Sequence, residues 1–262
     1  VFGVWNLNFH GILEKIIKIF MIQLRNWDNK TWLSSREYIR SFNLFLLKKK
    51  KLNKNSRILD IGCGRGKIFG SLSRKCRLIN KPIGIDPVIH KHVDKSIDFR
   101  NEDIFKFFKT KQYKFDLIMI KQTLHLFNEN KRLKLIKICK NRLKKNGVLL
   151  ILSLNTLNNQ IPCFKLMKQK LNKGLERDAR MILSICQILK NNKKDKFKFK
   201  VSISKKKYIQ MLKQKYISCL VNLNKKQINQ GIKEINEFYK NNLNFEDILI
   251  SIKFKKKPKI DL

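Results

Sequence analysis

Apolar residues in this 262-residue chain fall into short runs broken by turn residues. Ile58, Leu59 and Ile61 form one run, Ile83 and Ile85 a second, residues 114–120 a third and residues 148–152 a fourth. Runs of this length, rich in β-branched residues, read as strands buried on both faces of a parallel sheet. The pattern changes near the carboxyl end. Residues 196–204, Lys-Phe-Lys-Phe-Lys-Val-Ser-Ile-Ser, alternate strictly and predict a strand with one buried face, and residues 245–254 supply a last strand. Helical spacing governs residues 161–190, through Phe164, Leu166, Met167 and Leu171 and then Met181, Ile182, Ile185, Ile188 and Leu189. Further helices are predicted from Lys67 and from Ser204, so the chain belongs to the α/β class.

Three glycines follow the first strand at alternate positions, Gly62, Gly64 and Gly66. Such a loop adopts positive φ and presents bare backbone N–H groups to a ligand, and the amides of the helix that starts at Lys67 face the same ligand. Asp86 ends the second strand, 20 residues beyond Gly66, where a carboxylate reaches the hydroxyls of a bound ribose. Together these features predict a nucleoside-binding half-fold. The spacing is D-x-G-x-G-x-G from Asp60; the dinucleotide fingerprint G-x-G-x-x-G would put its third glycine where Lys67 stands.

The run from Leu59 to Gly66 resembles the first motif of the class I S-adenosylmethionine-dependent methyltransferases. Further segments keep the family's order: Asn101-Glu-Asp-Ile resembles its third motif, Lys114-Phe-Asp-Leu-Ile-Met-Ile its fourth strand, and Leu143-Lys-Lys-Asn-Gly with Val148-Leu-Leu-Ile-Leu its helix end, Asn-Gly turn and fifth strand. The resemblance implies a Rossmann-like, seven-stranded, mostly parallel sheet with helices on both faces, an N-terminal helical cap and a helical insertion after the fifth strand. It implies S-adenosylmethionine as cofactor, with Gly62, Gly64 and Gly66 at the methionine end, Asp60 shaping the loop, Asp86 on the ribose and Asp103 on the adenine. Cys63, Pro87, Ile104 and Lys121 are expected to line the same cofactor.

The layout is closest to the trans-aconitate methyltransferase-like branch. It divides the chain into an N-terminal extension (1–20), a cap (21–52), a cofactor-binding core (53–155), a helical insertion or lid (156–194), the last two strands with their helices (195–256) and a basic tail (257–262). In the cap, Trp27, Trp32 and Tyr38 are placed either to close over the cofactor or to pack on the sheet. That branch implies a small-molecule methyl acceptor, a carboxylate in its known form, for which Arg177, Arg180, Tyr208, Tyr216 and Ser218 are the candidate contacts. His125, beside the expected ligand crevice, is the candidate general base or else a packed or capping residue. A carboxylate acceptor needs no base, because the sulfonium already activates the methyl and in-line positioning does the rest.

Composition changes the picture little. Sixty basic and 19 acidic residues give a net charge of +41, which by itself points to nucleic acid or an anionic surface. The basic residues are overwhelmingly Lys among abundant Asn and Ile, as an AT-rich genome produces, and no patch concentrates Arg with aromatics. Runs such as residues 48–51 and 255–257 read as solvated faces. After the fourth strand stands Lys121-Gln-Thr-Leu and no Pro-Pro-aromatic loop of the kind that methylates base amino groups. The alternatives are an RNA methyltransferase that exploits the basic surface, for which Cys163 offers the nucleophile of a cytosine-methylating form, and a non-catalytic cofactor-binding protein of the same fold. Six scattered cysteines indicate neither zinc nor a disulfide frame and fit a reduced, cytoplasmic protein. No apolar run is long enough to span a bilayer. Residues 1–20 read as an amphipathic helix, an upstream extension or an interfacial helix.

Overall fold

The structure is a computed structural model that describes residues 31–257; the sequence readings on residues 1–20, on Trp27 and on most of the basic tail lie outside the described residues. Seven strands, β1 (Ile58–Ile61), β2 (Ile83–Ile85), β3 (Asp98–Arg100), β4 (Phe115–Lys121), β5 (Leu143–Leu154), β6 (Lys193–Ser204) and β7 (Asn242–Lys255), form one sheet in the order β3-β2-β1-β4-β5-β7-β6. The first five run parallel, and β7 lies antiparallel to both β5 and β6. The helices are α1 (Arg36–Lys49), α2 (Lys67–Cys76), α3 (Ile104–Thr110), α4 (Glu129–Asn141), α5 (Lys165–Ile188), α6 (Lys205–Lys213) and α7 (Lys225–Phe238). This is the Rossmann-like architecture that the sequence predicts.

Each central strand alternates its side chains between two cores. Ile58, Leu117, Met119, Leu150 and Leu152 face α1, α2, α6 and α7, whereas Leu59, Ile61, Ile118, Ile120 and Ile151 face α3, α4 and the second half of α5. The helix after β5 takes part in both: Met167 joins the first core and Met181, Ile182 and Ile185 the second. It is packed structure along much of its length.

One feature differs from the sequence reading, and a second was not addressed by it. Residues 143–147 enter the sheet instead of forming a free Asn-Gly turn: Leu143 pairs with Phe115, the register shifts, and Val148 pairs with Leu117. Asn146 accommodates this bulge at φ +60, a conformation that Asn tolerates. The crossover from β2 to β3, residues 86–97, carries no helix. It is pinned by Asp94, whose two oxygens accept from Arg74 at 2.7 and 3.2 Å.

Lysines serve the fold in several places. Lys256 Nζ donates to Leu143 O at 3.0 Å, and Lys205 Nζ to Asn236 O at 3.0 Å and Tyr239 O at 2.8 Å, satisfying carbonyls at or beyond helix ends. Lys194, Lys196, Lys198 and Lys200 project from one face of edge strand β6, where charge opposes edge-to-edge pairing with another sheet.

Candidate active site

The carboxyl ends of β1, β2 and β4 converge on the glycine loop. Gly62 N–H and Cys63 N–H both donate to Ile85 O, at 2.8 and 3.2 Å, so the loop folds toward β2 as it leaves β1. Gly62 has φ +74, and a Cβ there would fall 2.1 Å from Thr123 Oγ1. That hydroxyl donates to Lys121 O at 2.9 Å, so the fit ties the loop to the end of β4. Gly64 has φ +55 and a hypothetical Cβ would meet nothing within 4 Å, which leaves open space against bare backbone. The N-cap of α2 is Gly66, with no side-chain cap and no acid in the first turn, so its leading amides are left for a ligand. Cys63 is half-buried, with its Sγ against Gly84 of β2.

Asp86 is buried at the end of β2, its Oδ2 accepting from Gly64 N–H and its Oδ1 from Val88 N–H, both at 2.9 Å. Each oxygen keeps capacity for another donor, as ribose hydroxyls require. His90 Nε2 stands 3.4 Å from Oδ1. Pro87 is exposed and opens the crossover. Asp103 is exposed at the end of β3 and caps α3, its Oδ1 accepting from Phe105 N–H at 2.8 Å and Lys106 N–H at 3.2 Å; Oδ2 has no partner among the described residues. Ile104 is buried in the second core.

Asp60 and Lys121 form the floor between β1 and β4. Burial pushes the Asp60 carboxyl up to about 8, the Lys121 charge opposing and the Asp86 charge adding to the shift. The Lys121 ammonium is 3.2 Å from Gln122 Oε1 and lies over the rings of Tyr38 and Phe42, at 5.6 and 5.7 Å from their centroids. Trp32 Nε1 donates to Asp247 Oδ2 at 2.9 Å. Sequence reasoning missed Asp247, although a signal existed: it takes an inward position in the alternation Leu243, Phe245, Asp247, Leu249, where an acid has no packing role.

The expected acceptor contacts are not gathered there. The Tyr208 and Tyr216 hydroxyls lie 2.9 Å apart, and Tyr208 also donates to Pro162 O, with both side chains buried. Arg177 is largely exposed and pairs with Asp178 at 3.1 Å; Arg180 and Ser218 are exposed. His125 sits in a 3-10 turn, Leu124–Leu126, near Asp178, Arg177 and Arg132. Burial pushes its pKa down, against the pull of Asp178. Among the described residues no cluster of His, Cys, Asp and Glu could hold a metal.

The glycine loop, the uncapped helix start and the acids Asp86 and Asp103 lie together at the carboxyl ends of the parallel strands, where open α/β sheets place their ligands. The sequence matches the profile of a methyltransferase domain over residues 32–183, more than half of the chain. The protein therefore belongs to the methyltransferase-domain family and is a class I S-adenosylmethionine-dependent methyltransferase. Solved structures agree in fold. A putative methyltransferase from an antibiotic biosynthesis pathway of Anabaena variabilis superposes with a TM-score of 0.57 at 13% identity, covering 80% of this chain and 95% of that one. A putative methyltransferase from Bacillus halodurans gives a TM-score of 0.51 at 12% identity, covering 83% and 100%. No curated protein sequence matches the chain.

Proposed function

We propose that the protein transfers the methyl group of S-adenosylmethionine to a small-molecule acceptor seated at the carboxyl ends of β4 and β5. Gly62, Gly64, Gly66 and Cys63 would hold the methionine end, Asp86 and Pro87 the ribose, and Asp103 and Ile104 the adenine, with Asp60 and Lys121 beneath the loop. The cofactor supplies an activated methyl; the chain's own part is to align the acceptor with it and to keep water out.

The observation that carries the small-molecule reading is the closed wall beside β4 and β7. Trp32, Tyr38 and Tyr216 are buried there, and the Trp32 ring meets Phe245 at 5.1 Å and Tyr216 at 5.8 Å. A wall of packed aromatics suits an enclosed acceptor better than a polymer. Cytosine-type chemistry finds no support at Cys163, whose thiol burial pushes up to about 12, far from the thiolate that such catalysis needs. A carboxylate acceptor would look to Lys121 for its counter-charge, since Arg177 pairs with Asp178 and Arg180 is exposed.

The test is transfer of tritiated methyl from S-adenosylmethionine into a cell extract, with metabolites, RNA and protein counted separately. Label in the metabolite fraction supports the reading; label confined to RNA or protein defeats it.

A further inference from the structure

Two polar groups beside β7 have capacity that the fold does not use. Asp247 lies just past the carboxyl end of β5, since Leu154 pairs with Leu249 and Asn155 N–H donates to Ile248 O at 2.9 Å. Asp247 is 2% exposed, and its carboxylate accepts only the Trp32 indole N–H among the described residues. Tyr38 is fully buried, and its hydroxyl has no hydrogen-bond partner among the described residues. The two are neighbours: Phe199 is the cross-strand partner of Asp247, and the Tyr38 ring packs edge-on to Phe199 at 5.0 Å. Lys121, at the end of β4 beside the glycine loop, lies over the Tyr38 ring with its ammonium 5.6 Å from the centroid. Aromatic packing alone would be served by Phe at 38 and by an apolar residue at 247, and burying both polar groups costs free energy.

We infer that Tyr38 and Asp247 hold a protic group of the acceptor, a hydroxyl or a neutral amine, and that this group is the one methylated. The inference rests on the small-molecule methyl-transfer reading above and names the acceptor's chemical class. Tyr38 can donate one hydrogen bond and Asp247 can accept another. A hydroxyl or amine satisfies both at once. A carboxylate has no donor for Asp247 and meets a like charge; a quaternary ammonium can neither donate nor accept. In the reaction the acceptor's lone pair forms the new bond to the methyl, the electrons of the broken bond stay on the sulfonium sulfur, and the acceptor's proton passes to Asp247 Oδ1.

The test uses the full chain, tritiated S-adenosylmethionine and the small-metabolite fraction of a cell extract, followed by mild alkali. Methyl esters release their label as methanol, whereas methyl ethers and N-methyl groups retain it. Alkali-stable label is expected, falling about a hundredfold or more in Asp247→Asn, which keeps the Trp32 hydrogen bond, as for loss of a general base. Tyr38→Phe should lower it about tenfold by removing one hydrogen bond. Calorimetric titration with S-adenosylhomocysteine should give wild-type affinity for both variants, which shows that they fold and load. Label released by alkali overturns the inference, as do alkali-stable label and full activity in both variants. Wild-type protein that binds S-adenosylhomocysteine but labels no metabolite defeats the small-molecule reading itself.

Discussion

Gly64 N–H donates to Asp86 Oδ2 over 2.9 Å, so the acid at the end of β2 holds the middle of the glycine loop in place. The same carboxylate is thereby set between the loop and the expected ribose position, shaping the site and offering its remaining lone pairs to the ligand. Asp86→Ala should weaken S-adenosylhomocysteine binding by about 1.5–3 kcal/mol, the range for a hydrogen bond to a charged group, while the protein still folds. Calorimetric titration beside a thermal melt measures both. Unchanged affinity would remove Asp86 from the cofactor site.

Gly62 and Gly64 share positive φ but differ in surroundings. A methyl at Gly62 collides with Thr123, whose hydroxyl is anchored to Lys121 O at 2.9 Å, whereas one at Gly64 meets open space. Gly62→Ala should therefore lower the melting temperature clearly. Gly64→Ala should carry only the strain of a left-handed alanine, about 1–2 kcal/mol, yet lose cofactor affinity, because the added methyl occupies ligand space. Equal melting temperatures with equal affinities would contradict the division of roles.

These loop residues were legible in the sequence because their chemistry is local: positive φ, absence of Cβ and an acid at a fixed distance all leave a mark in consecutive residues. The parallel core was legible for a similar reason, since Leu117 to Ile120 and Val148 to Leu152 are continuous apolar runs with no polar alternation. The Trp32–Asp247 bond was not, because it joins positions 215 residues apart. Tyr208 and Tyr216 had suitable chemistry for an acceptor, but their hydroxyls bond each other, a pairing that only the three-dimensional arrangement discloses. The helix-free crossover was hidden as well: its anchor is the long-range Arg74–Asp94 pair and not a local propensity.

That anchor should be measurable. Burial works against ionisation of Asp94, but the Arg74 hydrogen bonds, the Ser96 N–H and the charges of Arg74 and Lys67 outweigh it and hold the carboxyl below its ordinary range. Stability from this carboxylate is then present above the unfolded pKa of about 4 and is lost as pH falls through the lower folded value. Because Arg74 is 57% exposed, solvent screens the pair, and Arg74→Ala should cost about 1 kcal/mol, with faster amide hydrogen exchange at Asp94 and Ile97. Exchange rates unchanged at both amides would mean that the crossover is held by something else.

Asp60 should respond to pH in the opposite sense. Its folded value of about 8 lies far above the unfolded value of about 4, because burial and the Asp86 charge outweigh Lys121. Between those values the unfolded chain has released a proton that the folded chain keeps. Stability therefore falls as pH rises, by about 1.4 kcal/mol per unit across the window, and levels off above the folded pKa. Asp60→Asn has no proton to lose, so its melting temperature should decline less than that of the wild type between about pH 5 and 8. Lys121→Met should extend the decline to higher pH while leaving its onset unchanged, since only the folded pKa rises when the charge that favours ionisation is gone. Parallel melting curves for wild type and Asp60→Asn would mean that Asp60 is ionised in the folded protein, with Lys121 overcoming burial.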